Sequence, residues 1–203
     1  MSAAHQHLPP SPWVLQQALA WPDGGRVLDF ACGYGRHSMA LATRFDVPAV
    51  DRNAAALARF ATHPNITVCQ CDLESAAAWP FADTVFDAVI VTNYLFRAKL
   101  PALFDLVAAG GCLAYETFAV GNAAFGRPTN PDFLLREGEL VASLPADFAV
   151  IDSFHGTVMT PQPAVIQRLA AHRKSAPASS PSCLLYTSPS PRDLSTSRMP
   201  SSA

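Results

Sequence analysis

Short apolar runs alternate along most of the chain with stretches of helical periodicity. Five apolar runs bounded by turn residues predict strands, at residues 26–30, 47–50, 66–69, 86–91 and 112–116. The segments between and after them predict helices at residues 37–42, 54–61, 101–109 and 137–144. Asn53 stands where it can cap the second helix, and Gly110 follows the third. Alternating strands and helices indicate an α/β fold.

Two further strand candidates, residues 148–154 and 165–170, have no helix between them. A connection this short predicts an antiparallel pair at the C-terminal edge of the sheet. The complete pattern predicts a Rossmann-like, mostly parallel seven-stranded sheet with helices on both faces and this hairpin at its edge. Ligands of such sheets bind beyond the carboxyl ends of the strands, so residues following each strand are the candidates for function.

Composition narrows the class of partner. The 203 residues are 50% hydrophobic and 15% charged, with a net charge of -2, so the chain can bury a core and offers no basic excess for nucleic acid. No run approaches the roughly 20 apolar residues of a membrane span, and the first ten residues lack the pattern of a signal peptide. We therefore expect a cytoplasmic monomer or homodimer with a small-molecule partner, and no membrane or nucleic-acid partner.

Cysteine and histidine usage gives no metal site. The five cysteines are an odd number without a CxxC pair, and the histidines have no metal-ligand spacing. We interpret the cysteines as reduced, buried thiols in a reducing compartment.

The C-terminal stretch differs from the rest of the chain. Ten serines and five prolines make up 15 of the 29 residues from 175 to 203, without helical or strand periodicity. Such a composition predicts a disordered tail, so we place the domain at residues 1–174. Residues 183–203 resemble a translated sequencing-adapter sequence, which would make the tail non-native from about residue 183.

The richest segment is VLDFACGYGRHS, residues 27–38, where a strand enters Gly33-x-Gly35 and then a helix. Glycines there allow a tight turn and close approach of a ligand to the backbone. Asp51, 18 residues after Gly33, ends the second strand, where a carboxylate can accept hydrogen bonds from ribose hydroxyls. A nucleoside-containing cofactor is therefore predicted.

Two classes of cofactor can be compared with this segment, and one of them fits it better. A nicotinamide or flavin dinucleotide favours GxGxxG, but Ser38 replaces the last glycine, and Asp29 would repel a pyrophosphate. S-adenosylmethionine carries an ammonium group, a ribose and an adenine, which suit Asp29, Asp51 and the later Asp72. S-adenosylmethionine is the preferred prediction, and an NAD(P)-dependent oxidoreductase is the first alternative.

Five segments together resemble the motifs of class I S-adenosylmethionine-dependent methyltransferases. These are VLDFACGYGRH, PAVDRN, CDLE, FDAVIVTNYLFR and AAGGCLAYETF, in the family's order, within residues 12–173. More narrowly, ACGYGRH and ETFAVGN…NPDFLL resemble small bacterial methyltransferases of the tellurite- and thiol-methylating group. A non-catalytic S-adenosylmethionine-binding protein of the same fold is the second alternative.

The resemblance implies a role for each matching position. The backbone of Ala31 and Gly33 would lie along the methionine part, Asp29 would help to bind its ammonium, and Arg36 would reach its carboxylate. Asp51 would hold the ribose, and Asp72 and Leu73 would frame the adenine. Further candidates for cofactor binding are Cys32, Gly35 and Arg52. Asn93 would face the methyl group's exit, with Tyr94 beside it as the second catalytic candidate. Ala31 stands where the family often has its first glycine, which is tolerated if φ there is negative.

Methyl transfer needs a general base only if the acceptor must lose a proton. Tyr94, Tyr115, Glu116 and His155 are the candidates near the predicted cleft. The acceptor is expected to meet residues 118–135, a long loop with Phe118, Phe125, Phe133 and Arg127, or this loop is a packed connection. Residues 9–19, with Trp13, are a second candidate cover. The sequence therefore predicts transfer of a methyl group from S-adenosylmethionine to a small-molecule acceptor.

Overall fold

The computed structural model describes residues 8–81 and 83–175. Within them the chain forms five helices, α1 Pro12–Ala18, α2 Arg36–Leu41, α3 Ala54–Leu57, α4 Leu100–Asp105 and α5 Glu139–Ala142. The strands are β1 Val27–Phe30, β2 Val47–Asp51, β3 Ile66–Gln70, β4 Phe86–Thr92, β5 Val107–Phe118, β6 Phe148–Val158 and β7 Ala164–Arg173. The tail predicted from residue 175 onward lies almost entirely outside the described residues.

The seven strands form one sheet in the order β3-β2-β1-β4-β5-β7-β6. Strands β1 to β5 pair in parallel, while β7 is antiparallel to both β5 and β6. The sheet is therefore mixed, with four parallel and two antiparallel pairings, and the description as mostly parallel was too simple. The reason is that β7 inserts between β5 and β6, so the C-terminal hairpin extends the sheet through its second strand.

Helix α4 is shorter than predicted from residues 101–109. It ends at Asp105, and β5 begins at Val107. The Phe86 N–H donates to the Leu106 carbonyl at 2.8 Å, and Phe86 pairs with Val107. The helix ends early because Leu106 and Val107 pair with Phe86, the first residue of β4. Helix α3 is also shorter than predicted, but Asn53 caps it as expected, accepting from Ala56 N–H at 3.1 Å.

Alternate residues of the central strands point into two separate cores, one on each face of the sheet. Leu28, Val89 and Leu113 belong to one core, which includes residues of α4 and α5. Val27, Ala88 and Ala114 belong to the other, which includes residues of α1, α2 and α3. Covering both faces leaves the strand ends as the place where polar side chains of several strands can meet.

Candidate functional site

The loop from β1 to α2 has an unusual backbone. Ala31, Gly33 and Gly35 all have positive φ, at 58°, 56° and 73°. The loop is held against β2, because Cys32 N–H donates to the Val50 carbonyl at 2.9 Å. Three left-handed residues within five produce a tight turn at the carboxyl end of β1.

The two loop glycines serve different purposes. A Cβ added at Gly33 would meet no atom within 4 Å, so this residue borders open space. A Cβ added at Gly35 would overlap the Phe60 ring, so this residue permits close packing at the start of α2. Only Gly33 offers its backbone to a ligand.

Ala31 does not have the negative φ on which its tolerance was predicated. Its φ of 58° lies in the left-handed region, which costs an L-residue with a Cβ about 1 kcal/mol relative to glycine. The structure therefore corrects the expectation: alanine here is accommodated with backbone strain.

Asp29 is buried at the end of β1, with 1% of its surface exposed. Its Oδ2 accepts from the Ser38 N–H at 2.9 Å and from the Ser38 hydroxyl at 2.5 Å. Burial raises its pKa to about 6, against the lowering effect of these hydrogen bonds. Its Oδ1 is buried without a hydrogen-bond partner among the described residues, and such an atom calls for a donor that the protein does not supply.

Asp51 ends β2 and is also buried. Its Oδ2 accepts from Gly33 N–H and its Oδ1 from Asn53 N–H, both at 2.8 Å. The carboxylate therefore links the glycine loop to the second strand, with lone pairs left for further donors.

The remaining predicted cofactor residues differ in how far they are exposed. Asp72 is exposed and accepts from Glu74 N–H at 3.1 Å, as an ordinary turn acid does, while Leu73 is buried beside it. Arg52 is exposed. Cys32 points into the core with α1 and α2, so only its backbone borders the loop, and burial raises the pKa of its thiol.

The residues present fit S-adenosylmethionine. Carboxylates follow or end three neighbouring strands, β1, β2 and β3, and this suits a ligand with cationic and hydroxyl groups better than a polyanion. The unpartnered Asp29 oxygen and the open space at Gly33 lie at the same end of β1. In the described residues, no group of three His, Cys, Asp or Glu side chains could hold a metal ion.

Asn93 and Tyr94, which follow β4, have different surroundings. Asn93 is exposed, with φ of 55°, and its N–H donates to the Glu116 carbonyl at 2.9 Å. The Tyr94 ring packs against Phe30, with 5.6 Å between centroids, and its buried hydroxyl has no partner among the described residues. Burial raises the pKa of Tyr94, and so do the charges of Glu74, Asp72 and Asp51. Tyr94 therefore lies on the side of the acids that follow β2 and β3.

A cavity of about 300 Å³ opens at the carboxyl ends of β4 and β5. It is lined by residues 8–12, the first residue of α2, the ends of β4 and β5, the loop after β5 and the β6–β7 connection. The lining residues are Leu8, Ser11, Pro12, Arg36, Asn93, Glu116, Phe118, Asn122, Phe125, Arg127, Val158, Thr160, Pro161, Gln162, Pro163, Ala164, Ile166 and Arg168. The structure thus brings Arg36 and Asn93 together with Phe118, Phe125 and Arg127 of the predicted acceptor loop. Phe133 is exposed and lines no part of the cavity.

An ion pair fixes one wall of this cavity. Arg168 of β7 donates from Nε to Glu116 of β5 at 2.6 Å. The Arg168 guanidinium lies 5.6 Å from the ring centres of both Trp13 and Phe154, so it is held between two aromatic faces. Sequence patterns did not indicate this pair, because its members are 52 residues apart and meet only through antiparallel pairing of β5 with β7.

The segment of residues 8–18, here called the N-terminal strap, crosses the cavity. Ser11 caps α1 and donates its own N–H to His37 Nε2 at 2.9 Å and its hydroxyl to Glu116 at 3.2 Å. Burial lowers the pKa of His37 to about 3, so the ring is neutral and can accept this bond. His37 is 1% exposed and does not belong to a solvated helical turn, which was one reading of its position.

Two further hydrogen bonds hold the strap. Arg36 donates to the Pro9 carbonyl at 3.1 Å, and Trp13 Nε1 donates to Asp152 of β6 at 2.9 Å. The sequence offered one signal for this element, because Ser11-Pro12 is a helix-start pair. Ser11 and Pro12 of this segment line the cavity, whereas Trp13 belongs to the core, and the cover over the cofactor predicted at residues 9–19 stays a prediction.

The four candidate bases do not form a proton-abstracting group. Tyr115 is fully buried and donates its hydroxyl to the Tyr94 carbonyl at 2.8 Å. His155 is exposed on β6 and does not line the cavity. Glu116 lines it, but its carboxylate is bound to Arg168 and Ser11. Sequence reasoning overlooked that these partners would occupy the one acid at the cavity.

Comparison with known proteins agrees with this geometry. Residues 27–111 match the family model described as a methyltransferase domain. A search of curated protein sequences finds no match. The part of the chain that the structure describes holds no helix long and apolar enough to cross a membrane.

Several solved structures share the fold. TehB from Haemophilus influenzae superposes with a TM-score of 0.63 at 20% identity, over 79% of this chain and 61% of that one. A methyltransferase from Methanosarcina mazei, described as S-adenosylmethionine-dependent, gives 0.62 at 17% identity, over 83% and 100%. The glycopeptide N-methyltransferase MtfA, solved with S-adenosylmethionine, gives 0.58 at 18% identity, over 84% and 96%.

The fold and the family match define a Rossmann-like protein with a methyltransferase domain. The chain is similar over residues 27–111 to the methyltransferase-domain family, and it shares its fold with TehB and with an S-adenosylmethionine-dependent methyltransferase.

Proposed function

We propose that this protein is an S-adenosylmethionine-dependent methyltransferase, and that it acts on a small-molecule acceptor bound in the cavity between the N-terminal strap and the β6–β7 connection. The observation that carries the proposal is the position of the cavity. Arg36, at the end of the glycine loop, and Asn93, at the end of β4, both line it. The cofactor site and the cavity therefore share a border, as transfer between two bound molecules requires.

The cofactor residues follow from the geometry of the loop. The backbone of Ala31 and Gly33 would run along the methionine part, with the unpartnered Asp29 oxygen facing its ammonium directly or through water. Arg36 would bind the methionine carboxylate. Asp51 would hold the ribose, and Asp72 with Leu73 would frame the adenine.

The bound cofactor supplies a methyl group already activated on a sulfonium. The chain's own contribution is orientation and exclusion of water. The strap and the phenylalanines of the loop after β5 enclose the cavity, and Asn93 stands at the border between the two sites. Tyr115 and Glu116 are hydrogen-bonded, His155 does not line the cavity, and burial raises the pKa of Tyr94. The acceptor atom would therefore need no protein base to remove a proton.

Calorimetric titration of the full chain with S-adenosylmethionine and with NADH tests the cofactor assignment. We expect heat from the first and none from the second. Micromolar NADH binding without S-adenosylmethionine binding would establish the oxidoreductase alternative. Formation of the demethylated cofactor in the presence of an acceptor panel then separates an enzyme from a non-catalytic binding protein.

Several sequence-based predictions accompany this proposal. They are the domain boundary at residue 174, the cytoplasmic location, the monomeric or dimeric state and the absence of a nucleic-acid partner. Gel filtration with light scattering tests the assembly, and limited proteolysis tests the boundary.

A further inference from the structure

The charges lining the cavity are unbalanced. Three guanidinium groups, of Arg36, Arg127 and Arg168, face it with one carboxylate, that of Glu116. Glu116 lies 2.6 Å from Arg168, so that pair is neutral as a unit. Two positive charges remain for whatever the cavity holds.

Arg36 stands at the cofactor border. It is half-buried, and burial lowers its pKa, while attraction from Glu116 and Asp29 raises it. Under the proposed function its charge is matched by the methionine carboxylate. Arg36 therefore does not need the acceptor for compensation.

Arg127 is left without compensation. It has no hydrogen-bond or ion-pair partner in the described part of the chain, although it lines the cavity. Arg127 is exposed, and the lining of the same cavity also includes the apolar residues Phe118, Phe125 and Ile166. A guanidinium in such a position suits a planar oxyanion, which it can bind through two parallel hydrogen bonds.

We propose that the acceptor is a small organic anion, with an apolar body against the phenylalanines and one carboxylate-like group on Arg127. This inference rests on the proposed function, because it assigns Arg36 to the cofactor. It agrees with the occupied bases, since the anionic group supplies recognition without a proton transfer. The cavity is at the small end of the 300–1,000 Å³ usual for ligand pockets, so a compact acceptor is expected.

The test uses the full chain saturated with S-adenosylhomocysteine, so that no turnover occurs. Benzoate, phenylacetate and cinnamate are titrated against their carboxamides by calorimetry. We expect each acid to bind about 10-fold more tightly than its amide. Arg127→Gln should remove this preference, Arg127→Lys should retain part of it, and 0.5 M NaCl should reduce it.

Arg136→Gln is the matched control, because Arg136 is also exposed in the connection after β5 but does not line the cavity. It should keep the preference for acids. Equal binding of acids and amides, no binding of either, or a preference that survives Arg127→Gln would overturn the inference. Affinity for S-adenosylhomocysteine is measured in every variant and should stay constant. Its absence in the unmodified chain would count against the proposed function itself.

Discussion

The cofactor side and the acceptor side of this site are built in different ways. The cofactor side uses consecutive strand ends and backbone groups, with acids that begin at Asp29 and end at Asp72. The acceptor side joins the strap, the loop after β5 and the β6–β7 connection, which are distant in sequence. The first side is acidic, and the second carries a net excess of guanidinium groups. Under the proposed function, the first side holds the cofactor and the second side selects the acceptor.

The largest effect is expected from breaking the acceptor wall. Glu116→Gln leaves the Arg168 guanidinium, 21% exposed, without its carboxylate. We expect a loss of about 3 kcal/mol in the free energy of unfolding, measured with urea. Asp147→Asn is the control, because the Asp147 side chain is 44% exposed against 10% for Glu116, so its ion pair with Arg173 should contribute much less. Similar losses in both variants would show that the buried pair has no special weight.

A substitution on the cofactor side should lower the affinity for the cofactor more than it lowers the free energy of unfolding. Under the proposed function Asp51 accepts hydrogen bonds from the ribose hydroxyls, so we expect Asp51→Ala to bind S-adenosylhomocysteine about 100-fold more weakly by calorimetry. Asp105→Ala, at an exposed acid beyond the site, should leave the affinity unchanged. An unchanged affinity in Asp51→Ala would remove this residue from the site.

Asp29 should show opposite effects on stability and binding. Its pKa of about 6 in the folded chain exceeds the ordinary value of 3.8, so the folded state retains a proton that the unfolded state has lost. Stability from this group is therefore present below about pH 4 and lost as pH rises to 6. Asp29→Asn should be more stable than the unmodified chain at pH 7, by about 2 kcal/mol after the cost of unpaired amide hydrogens.

The measurement is urea unfolding at pH 4, 5, 6 and 7, with S-adenosylhomocysteine affinity determined at pH 7. The advantage of Asp29→Asn should grow across this range, while its affinity falls. His37 supplies an opposing slope in both chains. Its pKa of about 3 lies below the usual 6.5, so its contribution is lost as pH falls below about 6.5. A constant difference between the two chains would refute the buried carboxylate as the cause.

The smallest effect concerns the glycine loop. Ala31→Gly should relieve the strain of φ at 58° and stabilise the chain by about 1 kcal/mol. Ala54→Gly in α3 is the contrasting change, which should destabilise by a similar amount. Thermal unfolding of both variants measures the comparison, and a destabilised Ala31→Gly would mean that the Cβ contributes packing.

The loop between β1 and α2 could be predicted because its residues are local. A strand end, a glycine turn and a helix start occupy 12 consecutive positions from Val27 to Ser38, and this order predicts a nucleoside site. The central strands could also be predicted, since each contains a short apolar run. The sign of φ at Ala31 was not readable, because the conformation is imposed by bonds from Cys32 and Gly33 to β2.

The acceptor side could not be predicted in the same way. The partners Glu116 and Arg168 meet only when β7 inserts beside β5, and Ser11 reaches His37 across 26 residues. Tyr94 and Tyr115 looked like catalytic groups from their positions at strand ends, but strand alternation turns Tyr115 into the core. The contacts of these residues depend on which strands pair and on which face of the sheet each side chain points to. Neither can be read from a local sequence pattern.

The strap has a practical consequence for anyone who handles this protein. Leu8 lines the cavity, and the backbone N–H of Ser11 is held by His37. The strap therefore supplies part of the cavity wall, so a shortened chain that lacks Leu8 would have a more open cavity although every strand is unchanged. Turnover numbers from full-length and shortened preparations should then disagree.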